Sequence, residues 1–371
     1  MKERLSQLLK QPVNDVVKLF GDASYRAYYR VFCDKEITYV LMAMPEGKMS
    51  VSEEITNIKE KPAELPYINV QHYLKSIGMP VPEIILFSEK DRWLVLEDLG
   101  NKRFFDIVTN IDKEAKVKWY KKAIDLLVEL QNRTSPSPSA TLPADRQPSP
   151  PPNDRRAGAR GEGDCIAFQR SYDAALFNWE FDHFWEYFFQ LPAVSSQPPE
   201  KDKRLFKEET QKITKELCAL PAGFTHRDYQ SRNLMVKNDQ LHIIDFQDAL
   251  TGPKIYDMVC LLRDSYVDVT DILEELGDYY CEKSGYEPKK FWRAFWLQTV
   301  QRKLKDSGRF VFIDKVKKNP NFLPFIPTSM DYVRQALEKL PEYGKLKSVI
   351  ARSVSDEAIH ERLLRFARND K

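Results

Sequence analysis

An α+β fold of two unequal parts, a small antiparallel sheet followed by a mostly helical body, is predicted for this 371-residue chain. Three observations predict it. Residues 1–100 hold short strand-like runs around one helical segment, residues from 101 onward turn to helical spacing, and a short hairpin interrupts the helical part between Leu234 and Ile244. A hydrophobic fraction of 42% suffices for one large core or two moderate ones, so two lobes are expected.

The elements follow in order. Leu5, Leu8 and Leu9 lie among Lys, Arg and Gln, which makes a short amphipathic helix, too polar for a secretion signal and too short for a membrane span. Tyr28 to Cys33 and Ile37 to Met44 are aromatic and β-branched runs separated by Asp34-Lys35-Glu36, a hairpin pattern. Val70, Tyr73, Leu74 and Ile77 stand at helical spacing, and that helix, from about Tyr67, stops at Gly78 before Pro80. Ile84 to Ser88 and Trp93 to Glu97 complete the sheet. Beyond it, Val117, Tyr120, Ile124 and Leu127 form a helical stripe. The aromatic residues from Phe177 to Phe189 surround too much of a helix for one amphipathic face, so core burial is expected, with Trp179 and Trp185 as weaker candidates for sugar stacking.

Two segments stand apart. Residues 134–164 carry seven of the 23 prolines with no aromatic side chain, too little apolar surface to offset ordering, and read as a disordered surface loop. Residues 346–371 are basic, with Ile359, Leu363, Leu364 and Phe366 at amphipathic spacing. Both read as additions to a core made of an N-terminal lobe, residues 1–100, and a helical lobe, residues 101–345. A net charge of +2, from 57 basic and 55 acidic side chains, leaves no nucleic-acid footprint, and no membrane or obligate protein partner is implied. Five scattered cysteines without C-x-x-C spacing argue against a disulfide framework or a zinc site and suit a reducing cytoplasm.

The densest chemical pattern is His226-Arg227-Asp228-Tyr229-Gln230-Ser231-Arg232-Asn233, followed twelve residues after Asn233 by Asp245. It fits H-R-D-x-x-x-x-N and then a strand ending in aspartate, the two halves of a kinase catalytic apparatus. Leu234-Met235-Val236 and Leu241-His242-Ile243-Ile244, joined by Lys237-Asn238-Asp239-Gln240, make a hairpin that brings Asn233 and Asp245 to one end. Asp228 then accepts or orients the proton of an attacking hydroxyl, while Asn233 and Asp245 offer hard oxygens for Mg²⁺ on ATP phosphates. The bland alternative is a chance match in a surface hairpin. His226 reads as a scaffold, not as a base.

The nucleotide side is less conventional. No G-x-G-x-x-G is present; Gly21-Asp22-Ala23-Ser24-Tyr25-Arg26 precedes the first hairpin, where Ser24 and Arg26 offer a hydroxyl and a cation to phosphate; this is also ordinary turn chemistry, and its position relative to the catalytic loop favours the phosphate reading. Leu96-Glu97-Asp98-Leu99-Gly100 stands where an interlobe hinge belongs, which nominates the backbones of Glu97 and Leu99 for adenine. The strand from Ile37 to Met44 has no lysine for phosphate, and Lys48 lies beyond it, so another cation such as Arg26 is needed.

These motifs, with Val40-Leu41-Met42, Ile244-Asp245-Phe246-Gln247-Asp248-Ala249, Tyr256-Asp257-Met258, Leu261-Leu262-Arg263-Asp264 and Gln301-Arg302-Lys303-Leu304-Lys305, resemble the anomeric N-acetylmuramate and N-acetylglucosamine kinases. Those kinases sit within the aminoglycoside/choline phosphotransferase superfamily, and the likeness covers nearly all of the chain outside the two additions. The resemblance implies a two-lobed protein-kinase-like fold and ATP- and Mg²⁺-dependent transfer to the C1 hydroxyl of an amino sugar in cytoplasmic cell-wall recycling. It departs at Ala43 and Met44, where relatives carry an Asp, and at Lys303, where they carry a His. N-acetylmuramate bears a lactyl carboxylate, for which Arg263 and Arg302 are the candidate guanidinium forks, although Arg263-Asp264 also fits a structural ion pair. Asp257 is expected to brace the catalytic loop or cap a helix. Choline-type or aminoglycoside-type acceptors, or a non-catalytic pseudokinase, are the competing readings; a protein kinase is disfavoured because Phe246-Gln247 replaces Phe-Gly and no Ala-Pro-Glu follows.

Overall fold

The computed structural model describes residues 1–19, 26–44, 64–134, 165–191 and 198–353. After α1 (Lys2–Leu9) the first lobe is an antiparallel sheet of β1 (Val13–Lys18), β2 (Ala27–Cys33), β3 (Thr38–Ala43), β4 (Ile84–Ser88) and β5 (Trp93–Glu97). The spatial order is β1-β2-β3-β5-β4, and α2 (Pro66–Ser76) enters between β3 and β4. The two-residue period of the strands sorts their side chains. Val31, Leu41 and Val95 close over Leu5 and Val13 on one face, whereas Met42, Leu94 and Leu96 face Val70 and Leu74 in the main core.

Four of the five strands lie where the apolar runs predict them. β1 is the exception: within Val-Asn-Asp-Val-Val-Lys only Val13 is buried, so this edge strand lacks an alternating pattern to announce it. It is held by main-chain pairing to β2. Gly78, at φ 75°, ends the α2 region in a left-handed turn that suits glycine.

The second lobe contains α3 (Phe104–Val108), α4 (Lys113–Arg133), α5 (Ala174–Phe188), α6 (Glu200–Cys218) and two small ribbons. One ribbon pairs β6 (Ala222–Thr225) with β9 (Leu250–Pro253); the other pairs β7 (Leu234–Lys237) with β8 (Gln240–Ile243). Then follow α7 (Ile255–Leu262), α8 (Leu273–Ser284), α9 (Pro288–Lys317), α10 (Ile326–Glu338) and α11 (Gly344–Ser353). Phe177, Phe181, Phe184 and Phe188 of α5 are buried, as expected of core residues. Trp179 is half-exposed and stacks on His183, and Trp185 packs on Phe206.

The β7–β8 ribbon is stitched to the interlobe segment, because Val236 N donates to Lys102 O at 2.7 Å and Ile243 N to Pro80 O at 2.8 Å. That fixes the catalytic hairpin against the small lobe. The proline-rich segment from 135 to 164 lies outside the described residues, as do Ile359, Leu363, Leu364 and Phe366. The tail expected from residue 346 starts later than the basic composition suggests: Leu346, Val349 and Ile350 of α11 are buried in the main core, so the helical lobe runs through them.

α5 and α9 cross at Gly308, where an added Cβ would meet Phe184 Cα at 2.5 Å and Phe184 N at 3.0 Å. Helix propensity alone favours Gly308→Ala by about 1 kcal/mol. Backbone cannot move aside as a side-chain end can, so overpacking of about 1–3 kcal/mol outweighs it. Urea unfolding of the variant is expected to show net destabilisation; a gain in stability would mean the crossing relaxes freely.

Candidate active site

The catalytic loop leaves β6 and re-enters at β7, and its backbone carries strain. Arg227 adopts φ 76°, a left-handed conformation unfavourable for a side chain of its size. It is held by the buried carboxylate of Asp257 in α7, which accepts from His226 N at 2.7 Å and Arg227 N at 2.9 Å. Burial pushes the Asp257 carboxyl up to about 6, against those two hydrogen bonds. Asp257 therefore braces the loop. His226 does the same work from the other side: its Nδ1 accepts from Asp228 N at 3.2 Å, which leaves Nε2 to donate to Ile244 O at 2.9 Å. This geometry makes it the expected scaffold.

Asp228 projects from the loop with its side chain 38% exposed, and its Oδ1 accepts from Arg302 Nη2 at 2.7 Å. Burial alone would raise its carboxyl. The charges of Arg302 and Lys305, the Arg302 hydrogen bond and Arg227 prevail and hold it well below the usual carboxylate range. Arg302 is buried in α9, where Nη1 also donates to Arg227 O at 2.8 Å and to Tyr256 OH at 3.0 Å, and Nε sits 3.2 Å from Asp306. Behind the loop, Arg227 lies 3.4 Å from Glu180, which also accepts from Tyr172 OH and Gln301 Nε2.

Across the site the hairpin performs its predicted task. Ile244 N donates to Asn233 O at 3.1 Å, and the β7–β8 turn places Asn238 and Asp239 at φ 52° and 58°. Asn233 Nδ2 donates to Asp228 O at 2.9 Å, which fixes the amide and leaves its oxygen for a ligand. Asp245, at φ 64°, accepts from Gln247 Nε2 at 2.9 Å. Burial pushes its carboxyl up to about 6, with Asp228 and Asp248 adding to the rise and Gln247 and Arg26 opposing it. Such crowding of acidic groups is what a hard cation would relieve, and the oxygens of Asn233 and Asp245 fit Mg²⁺. Among the described residues no trio of carboxylate, imidazole or thiol groups could hold a metal, so phosphate oxygens would have to complete its shell.

On the nucleotide side, Arg26, just before β2, lies within electrostatic range of Asp245 and of Tyr28, whose hydroxyl burial pushes up to about 12. Ser24 and Lys48 lie outside the described residues. Glu97 ends β5 with its N–H bonded to Glu83 O at 2.9 Å, so that amide is not available to a nucleotide. Its carboxylate pairs with Lys237 at 2.7 Å beside a cavity of about 370 Å³ whose lining includes Lys75, Pro80 and His242 but no catalytic-loop residue. Leu99 follows with its side chain buried, and Arg30 clamps the linker through Asp98 at 2.7 Å.

Residues 15–292 match the phosphotransferase enzyme family, about three-quarters of the sequence. The chain belongs to that family. As a phosphotransferase it has curated relatives named N-acetylmuramate/N-acetylglucosamine kinase: one from Pseudomonas putida, 27% identical over 95% of this chain and 94% of its own. Another, from Neisseria meningitidis, is 28% identical over 93% and 92%. Among solved structures it is similar to an ADP-bound aminoglycoside phosphotransferase, APH(2'')-Ib, with TM-score 0.54 and 14% identity over 90% of this chain and 97% of that one. It is similar also to choline kinase LicA from Streptococcus pneumoniae, with TM-score 0.52 and 15% identity over 92% and 98%. The two-lobed kinase fold expected from the sequence is thus borne out, and the reaction class is phosphoryl transfer to a hydroxyl.

Two sequence candidates change role in this phosphotransferase. Arg263 is buried between Trp296 and Tyr332, its Nη1 donating to Gln335 at 3.0 Å, and burial draws it down to about 10, so it is a core residue and no ligand fork. It forms no ion pair with Asp264, which instead accepts from Ser231 and Tyr266 main-chain N–H groups. Arg302 reaches the site, but its donors are spent on Asp228, the loop carbonyl and Tyr256. Sequence reasoning passed over Lys305 and Asp306; their spacing of three and four from Arg302 on one helix carried the signal. Lys303, in place of the relatives' histidine, is buried and bonds Ser265 and Asp306.

Arg302→Gln tests the electrostatic part. Losing the cation favours the protonated form, so the Asp228 carboxyl rises and an acid limb moves up into the measurable range of kcat against pH at saturating metal. The expected drop at neutral pH is about 10²-fold, the scale of losing a well-placed acid–base group. A profile coincident with the parent's would separate Arg302 from the state of Asp228.

Proposed function

We propose that the protein is an ATP- and Mg²⁺-dependent kinase that phosphorylates the anomeric C1 hydroxyl of N-acetylmuramate, N-acetylglucosamine or both, in cytoplasmic cell-wall recycling. The observation that carries this reading is Asp228: one carboxylate oxygen is tied to Arg302, and the group stays ionised far below neutral pH. A carboxylate so strongly acidic is a weak base. It suits a hydroxyl more acidic than an ordinary alcohol, which the anomeric hydroxyl of a sugar is. The names and near full-length match of the curated relatives support the same acceptor.

In this reading Asp228 orients the C1 hydroxyl through its second oxygen and receives the proton late, as the loose transition state of phosphoryl transfer demands little of a base. Asn233 and Asp245 would hold the metal, which supplies charge neutralisation on the transferring phosphates. Arg26 takes the place of the lysine that β3 lacks, and the linker from Glu97 to Leu99 faces the adenine, with the Leu99 amide as donor. Rigid placement then carries most of the rate.

The first test offers Mg-ATP with N-acetylmuramate, N-acetylglucosamine, choline and kanamycin, with the phosphorylated carbon assigned by NMR. C1 phosphorylation of an amino sugar is expected, with Asp228→Asn lowering kcat about 10²- to 10⁴-fold. Turnover confined to choline or kanamycin would overturn the acceptor.

A second test uses pH. Because the Asp245 carboxyl lies near 6, protons compete with metal for it below that value. The Mg²⁺ concentration for half-maximal rate is expected to be flat above pH 7 and to rise about tenfold per unit below pH 6. No rise would remove Asp245 from the metal site.

A further inference from the structure

We infer that Arg232 of the catalytic loop binds the carboxylate of the acceptor, an assignment that rests on the amino-sugar reading and names the group selecting an acidic sugar. The inference begins with how the other cations near the loop are used. Arg302 spends its donors on Asp228, Arg227 O and Tyr256; Arg227 pairs with Glu180; Lys303 bonds Ser265 and Asp306; and Lys305 sits 3.7 Å from Asp306. Arg232 differs. Among the described residues it donates no hydrogen bond and forms no ion pair, whereas Arg227 and Arg302, whose Nε atoms are likewise buried without a hydrogen-bond partner, have acceptors for their terminal nitrogens. Asp106, near enough to feel its charge, is already bonded to Arg103 at 2.9 Å.

Nevertheless Arg232 is not a loose surface side chain. It is half-buried, its guanidinium lies 3.6 Å from the Tyr266 ring centroid, and the rings of Phe105 and Phe325 stand at 5.2 and 5.3 Å. Stacking holds a guanidinium in place while leaving its in-plane N–H edge open, the edge that meets a carboxylate in a two-bond fork. Asp264 aligns this platform with the catalytic loop. One carboxylate oxygen accepts from Ser231 N at 3.0 Å and Ser231 Oγ at 2.5 Å, and the other from Tyr266 N at 3.0 Å. Ser231 is the neighbour of Arg232, so the residue under the guanidinium and the backbone that carries it share one buried anchor. Tyr266 lies within electrostatic range of Asp228 and Asp306, so the platform stands near the carboxylate that would meet the acceptor.

N-acetylmuramate has such a carboxylate on its lactyl ether; N-acetylglucosamine has none. The test compares kcat/KM of the full-length parent, Arg232→Met and Arg232→Lys on both sugars and on the methyl ester of N-acetylmuramate. Arg232→Met is expected to lower kcat/KM for N-acetylmuramate at least tenfold more than for N-acetylglucosamine, chiefly through KM. Arg232→Lys should recover part of that selectivity. Esterification should cost the parent as much as the mutation does, and cost Arg232→Met little, so that the two losses do not add. Equal losses on both sugars would overturn the assignment in favour of a contact to the phosphate donor or simple support of the loop. Should Arg232→Met not fold, ester and acid used equally well by the parent would overturn it as well. A parent that turns over the two sugars without these differences sinks Arg232 alone, whereas a parent that turns over neither sugar sinks the amino-sugar reading and this assignment with it.

Discussion

One buried guanidinium, that of Arg302, ties the chemistry of this protein to its fold. It meets the Asp228 carboxylate, the Arg227 carbonyl, the Tyr256 hydroxyl and the Asp306 carboxylate from the middle of a 30-residue helix. A charge so buried is tolerable only with such partners, and removal of one side of a buried pair typically costs about 3–5 kcal/mol. The consequence runs both ways. α9 cannot shift without disturbing Asp228, and Asp228 owes its ionised state to α9.

The same loop stores strain that other elements must hold. Arg227 at φ 76° belongs to the class of backbone outliers that cost about 1–3 kcal/mol. Its amide is held by Asp257 from α7, its carbonyl by Arg302 and Cys260, and its guanidinium by Glu180 from α5. Three helices distant in sequence therefore converge on one residue. The core around them is aromatic and tightly crossed, as at Gly308, and this rigidity gives the loop a fixed geometry toward the acceptor.

Much of the fold was legible because burial leaves a period in the sequence. β4, β5 and the β7–β8 ribbon stand where alternation and turn residues place them, and α2 ends next to the glycine that marks it. β1 was illegible since its stability comes from main-chain pairing at an edge, with only Val13 buried. The basic stretch after residue 346 misled for the converse reason: half of α11 is polar, yet Leu346, Val349 and Ile350 fall on one face and are buried.

By itself the sequence determined that Asp228, Asn233 and Asp245 come together at one end of a hairpin, because their spacing and the hairpin between them are local. It also marked His226 as a scaffold but left Asp257 between bracing the loop and capping a helix, and only the hydrogen bonds from His226 N and Arg227 N make it a brace. Tertiary structure alone decided what each arginine does. Arg263, Arg302 and Arg232 are chemically identical in a sequence, but packing gives the first two protein acceptors for their terminal nitrogens and leaves the third stacked with none among the described residues. A side chain's function depends on which of its polar atoms remain unsatisfied, and that is settled only when distant helices close around it.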